Sequence, residues 1–71
     1  MNRLKQIRFE QGVRQHELGF YAKIPQSRIS LYENGFIEFK PEEKLRLASV
    51  LKRPVDDVFP LESKKKKGGP N

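Results

Sequence analysis

The chain has 71 residues, a formal net charge of +6 and no cysteine. This excludes a disulfide framework and a thiolate metal site, and leaves one small domain near the lower size limit for an unaided hydrophobic core. No apolar run approaches a signal-peptide core or a membrane span, which predicts a soluble cytoplasmic protein; one histidine, no Gly-rich phosphate loop and only the adjacent acidic pairs Glu42-Glu43 and Asp56-Asp57, which diverge on a helix, exclude an enzyme and leave no cofactor to expect.

In chain order, a first helix starts near Asn2, carries Leu4, Ile7 and Arg8, and stops at Gly12, a residue that tolerates positive φ just past a helix end. A second helix runs from about Gln15 to Ala22. After a short break containing Ile24, a third runs from about Gln26 to Asn34 and ends at Gly35. Phe36 to Lys40 form a connector. Pro41-Glu42-Glu43 opens a fourth helix, with proline in the first turn and carboxylates at the positive end of the dipole. It presents Leu47, Ala48 and Leu51 and stops before Pro54. Val55 to Phe59 make a short last helix. The segment 64–71, KKKKGGPN, is charged and rich in Gly and Pro, which predicts a disordered basic tail. The expected architecture is an all-α, five-helix domain over residues 1–63.

The segment 15–35 carries the chemistry. Leu18 and Ala22, Ile29 and Tyr32, and Ile24 between them can share one apolar seam. Opposite that seam fall Gln26, Ser27, Ser30, Leu31 and Asn34. A solvated helix face usually carries Glu and Lys. This face instead carries an amide at its start, hydroxyls behind it and one aliphatic, the side chains that read base edges in duplex DNA. Leu31 has two readings, contact with a thymine methyl group or packing against Phe36. Ser30 and Asn34 suit a phosphate or a base edge, and Asn34 also suits helix termination. Arg28 lies toward the flank of the helix, where a phosphate or a base is in reach. Lys64 to Lys67 supply four of the six net charges, and residues 1–63 hold 11 Lys/Arg against 9 Asp/Glu. Placement therefore matters more than total charge: Arg14, Lys23, Arg28 and Lys40 lie in or beside this segment, where phosphates would pass. His16 has no second ligand candidate nearby and reads as a surface residue; no metal site is expected.

The pattern Gln15-x-x-Leu18, Ile24, Gln26-Ser27-x-Ile29-Ser30 and Tyr32-Glu33-Asn34-Gly35 resembles the helix-turn-helix of the Cro/repressor-type (XRE-like) DNA-binding family. Leu4-Lys5-x-Ile7-Arg8, Leu47-Ala48-x-x-Leu51 and Val55-Asp56-Asp57-Val58-Phe59 extend the likeness to roughly residues 3–60. The resemblance implies that Gln15 braces Gln26 while touching a phosphate, and that Arg8 and Glu33 form a structural ion pair. Several positions depart from the pattern. Arg14 stands where Ser or Thr usually caps, Gly19 replaces Ala, Lys23 stands where Gly is common, Pro25 replaces a polar cap and Phe39 replaces Pro. Gly19 is expected to permit close helix approach at up to about 1 kcal/mol of helix propensity. Lys23 is expected to carry strain if its backbone is left-handed.

The resemblance further implies double-stranded DNA as partner, a recognition helix in the major groove, and transcriptional regulation. No segment outside the domain would recruit polymerase, which points to repression. A homodimer is expected, with Val58, Phe59 and Leu61 and the connector Phe36 to Phe39 at its interface, because a monomer this small would struggle to cover them. The alternative is a protein-interaction module, antitoxin-like or adaptor, that grips a partner through Phe36, Ile37, Phe39, Phe59 and Leu61.

Overall fold

The computed structural model describes residues 3–60. The expected helix start at Asn2, Leu61 and the tail at 64–71 lie outside the described residues. Within them all regular structure is helical: α1 (Arg3–Gln11), α2 (Gln15–Ala22), α3 (Gln26–Glu33), α4 (Pro41–Leu51) and α5 (Val55–Val58).

Helix ends follow the local chemistry. Gly12 adopts φ +70° and closes α1, with the Val13 N–H donated to Arg8 O at 2.9 Å. Arg14 precedes α2 and has no side-chain acceptor to offer. The Glu17 carboxylate, three residues on, accepts the Arg14 N–H at 2.9 Å, so half of a capping box survives. Lys40 and Glu43 repeat this arrangement at α4, at 2.8 Å, with Pro41 in the first turn. Pro25 leads into α3 with φ −57° and offers no side-chain cap.

Lys23 closes α2 in the left-handed region, at φ 60° and ψ 44°, as the departure from glycine implies. Lys52 closes α4 in the same conformation, φ 56° and ψ 43°. That second strained position was not anticipated. A left-handed non-glycine residue costs about 1–2 kcal/mol. Lys52→Gly is therefore expected to stabilise the domain by about 1 kcal/mol. Lys23→Gly should gain similar stability. Thermal melts of both variants check this; a Lys52→Gly variant no more stable than the parent would contradict the strain.

The core joins Leu4 and Ile7 of α1, Leu18 and Ala22 of α2, Ile24, Ile29 of α3, Leu47, Ala48 and Leu51 of α4, and Val58. Every residue of the expected seam is buried here except Tyr32, which is half-buried. Phe39 and Phe59 are buried too. The Tyr32 ring stacks on Phe39 at 4.6 Å between centroids and meets Phe59 edge-on at 5.7 Å. This corrects the premise that Phe39, Val58 and Phe59 need a partner chain. The connector folds back over Tyr32, so the monomer covers all three. Phe36 alone among the connector aromatics stays open, at 74% exposure.

Polar side chains stitch the helices together. Arg46 Nε donates to Ala22 O at 2.7 Å, tying α4 to the end of α2. Gln11 Nε2 donates to Leu51 O at 2.9 Å. Arg3 pairs with Asp57 at 2.8 Å, and Arg53 reaches the same carboxylate at 2.6 Å. The Arg3 hydrogen bond, reinforced by Arg53, holds the Asp57 carboxyl below the usual carboxylate range.

Candidate nucleic-acid interface

Helix α2 and helix α3 meet closely because of Gly19. A Cβ at this position would lie 2.5 Å from Ile24 O, 3.3 Å from Ile29 Cδ1 and 3.4 Å from Gln26 N. The first distance is to backbone that cannot rotate away. Ile24 N–H in turn donates to Gly19 O at 2.9 Å. The turn is thus folded onto the bare face of α2, and it carries the start of α3 with it. The close helix approach expected of Gly19 is present, and at 2.5 Å it leaves no room for a side chain.

A buried ion pair fixes the far end of α3. Glu33 accepts from Arg8 Nε at 2.8 Å through one oxygen and from Arg8 Nη2 at 2.9 Å through the other. Arg8 Nη1 also donates to Val13 O at 3.1 Å, and the Phe9 ring flanks the guanidinium at 4.9 Å. The side chains are 7% and 2% exposed. Both charges are therefore out of water, compensated by a bidentate fork. The pairing implied by resemblance is present.

The network then runs outward. Gln15 Nε2 donates to Glu33 Oε1 at 3.0 Å. An amide has one donor end and one acceptor end, so this bond turns Gln15 Oε1 away from the carboxylate. Gln26 Nε2 reaches that oxygen at 3.4 Å. One of the two Gln26 N–H donors is thereby directed inward. The other donor and the Oε1 acceptor belong to a side chain on the exposed start of α3. An amide presenting one donor and one acceptor matches adenine N7 and N6.

The remaining candidates are placed as follows. Ser27 is exposed, Ser30 is half-buried, and Leu31 is 42% exposed. Asn34 Nδ2 donates to Ser30 O at 2.9 Å, so its amide helps to close α3. Arg14 and Lys23 are exposed at the two ends of α2, and Lys40 is exposed at the start of α4. Arg28 stands apart from the others. Its Nη2 contacts both Glu43 oxygens, at 2.8 and 3.0 Å, and its guanidinium lies 5.8 Å from the Phe39 ring. The flank position seen in the sequence is thus turned toward α4. Burial raises the Glu43 carboxyl, but the Lys40 N–H and the Arg28 guanidinium outweigh it and hold the group below the usual carboxylate range.

Among the described residues no group of three or more His, Cys, Asp or Glu is placed to hold a metal ion. None of the described helices is long and apolar enough to cross a membrane.

A family model described as helix-turn-helix matches residues 4–58, from the first core leucine of α1 to the last core valine of α5. No curated protein and no solved structure gives a match. The match spans most of the chain and includes α2, the turn and α3. With five helices in this order and an amide-bearing face on the third, the chain belongs to the Cro/repressor-type helix-turn-helix family of DNA-binding transcription regulators.

Proposed function

We propose that this domain binds double-stranded DNA sequence-specifically, with α3 in the major groove and α2 crossing the backbone. The observation that carries this reading is the polar chain from Arg8 through Glu33 and Gln15 to Gln26. It orients an amide at the exposed start of α3, and preorganised polar groups are what base discrimination requires. Gln26 and Ser27 read base edges. Gln15, Ser30 and Asn34 position the helix against phosphate and base, and Arg14 and Lys23 contact phosphates. Arg28 joins them only by exchanging Glu43 for a phosphate. Bound over a promoter, such a domain represses by excluding polymerase.

Gln26→Ala is expected to cost about 1–3 kcal/mol at its own base pair and to flatten preference there. Titrations against duplexes varied at each position check this, and unchanged affinity with unchanged preference would refute the assignment. Raising salt should weaken binding linearly on a log–log plot.

One module of this size buries too little DNA surface for tight binding, so the domain acts as a homodimer on a two-fold site, with recognition helices about 34 Å apart. With Phe39 and Phe59 committed to the core, Phe36 is the connector residue left for that contact. Phe36→Asp is expected to weaken cooperative binding to a full palindrome far more than binding to a half-site. Equal losses on both DNAs would leave a monomer.

The second reading, a protein-interaction module, is favoured by one feature. Phe20 and Tyr21 are exposed and packed edge-on at 5.2 Å on the outer face of α2. A stoichiometric protein partner that shields these rings, without salt-dependent DNA binding, would support it.

A further inference from the structure

A groove of about 670 Å³ lies between the α1–α2 turn, α2 and the end of α4. Val13, Val50 and the Tyr21 ring give it an apolar surface, and Glu17, Ser49 and Lys52 bring its polar groups. Its volume falls within the roughly 300–1,000 Å³ of small-molecule sites. On a helix of about 100° per residue, Glu17 and Tyr21 lie about 200° and 240° around α2 from Gln15. The groove is therefore turned away from the Gln15–Gln26 contact. Lys52 holds φ 56°, a left-handed conformation that glycine would adopt without strain. Backbone strain of this kind gathers at ligand sites. Lys52 is exposed, and its ammonium has no ion-pair partner among the described residues. Glu17, by contrast, is engaged at the start of α2, where Oε1 accepts the Arg14 N–H at 2.9 Å.

We propose that this groove binds a small apolar monocarboxylate, an aromatic or branched-chain acid, with its carboxylate on Lys52 and its apolar body on Val13, Tyr21 and Val50. One unpaired ammonium suits one carboxylate, and the Ser49 and Tyr21 hydroxyls add donors. A phosphate group carries about two negative charges and asks for more than one cation. Glu17 in the same groove opposes a second negative charge on the ligand. An aromatic body gains from the Tyr21 ring beyond the area it covers. The inference does not rest on the DNA-binding reading. It also gives the strained lysine a use: Lys52→Gly relieves the backbone and removes the ligand's counter-charge.

The test titrates the isotope-labelled full chain, without DNA, with phenylacetate and isovalerate and follows backbone amide shifts by NMR. Phenylacetate is expected to give saturable shifts at Val13, Tyr21, Ser49 and Val50, with a Kd on the order of 1 mM for a ligand of about ten heavy atoms. Phenylacetamide, its neutral counterpart, should bind about tenfold more weakly, the worth of one charge-assisted hydrogen bond. Lys52→Gln should weaken phenylacetate by the same factor, and Lys52→Arg should retain it. Tyr21→Ala, at an exposed position, should weaken it about threefold. No saturable shift with either acid, shifts confined to other faces, or equal binding of phenylacetamide would overturn the site and leave the DNA-binding reading standing. Phenylacetate binding unchanged in Lys52→Gln would overturn the assignment to Lys52. N-acetylphenylalanine binding far more tightly than phenylacetate would assign the groove to the C-terminus of a protein chain and overturn the small-acid proposal.

Discussion

Glu33→Ala is expected to lose about 3–5 kcal/mol, enough to unfold a large share of a domain this small. The carboxylate is 2% exposed and answers both Arg8 and Gln15. Its removal leaves a guanidinium, itself 7% exposed, without its counter-charge. The penalty is mostly that stranded charge and not the worth of the pair. Arg8→Ala should therefore cost a similar amount, and the double variant should lose clearly less than the sum of the two. Denaturant melts of the three proteins measure this coupling. Strict additivity would mean that the two side chains do not act as a pair.

Gly19→Ala is expected to destabilise the domain by about 1–3 kcal/mol, although helix propensity alone predicts a gain of about 1 kcal/mol. The two estimates have opposite signs, so the result decides between them. The added methyl group would sit 2.5 Å from Ile24 O. Relief requires the turn to move, and Pro25 and Gln26 follow the turn directly. DNA affinity should fall beyond what the stability loss explains, because the Gln26 amide is displaced from Gln15. A thermal melt that rises on this substitution would show that the helices do not approach as closely as described.

Helix order and ends were readable because the chain punctuates them: Gly12 and Gly35 take positive φ, and Pro41 and Pro54 mark helix starts. The apolar seam was readable from spacing alone. The Arg8–Glu33 pair was not; 25 residues separate the partners, and only the family resemblance joined them. The fate of the aromatics was hidden for a related reason. Phe39 and Phe59 look like surplus apolar residues in a connector and a tail until Tyr32 is seen to receive both rings. Arg28 shows where a helical wheel stops being informative. It places the residue on a flank, but the Glu43 carboxylate facing that flank comes from another helix. Lys52 escaped notice because nothing in its neighbours marks a left-handed residue. Arg46 and Gln11 cap carbonyls 24 and 40 residues away, contacts that no local pattern encodes.

In the proposed mode of binding, the Gln26 amide, held through Gln15 by the buried Arg8–Glu33 pair, lets α3 read bases in duplex DNA. Selection of bound sequences from a random duplex library, run in parallel with the parent protein and Gln26→Ala, tests it most directly. The parent is expected to enrich a two-fold symmetric motif. The variant, still folded, should enrich the same motif with preference flattened at one base pair in each half-site. A parent protein that enriches no sequence, or a variant whose motif matches the parent at every position, would contradict the account.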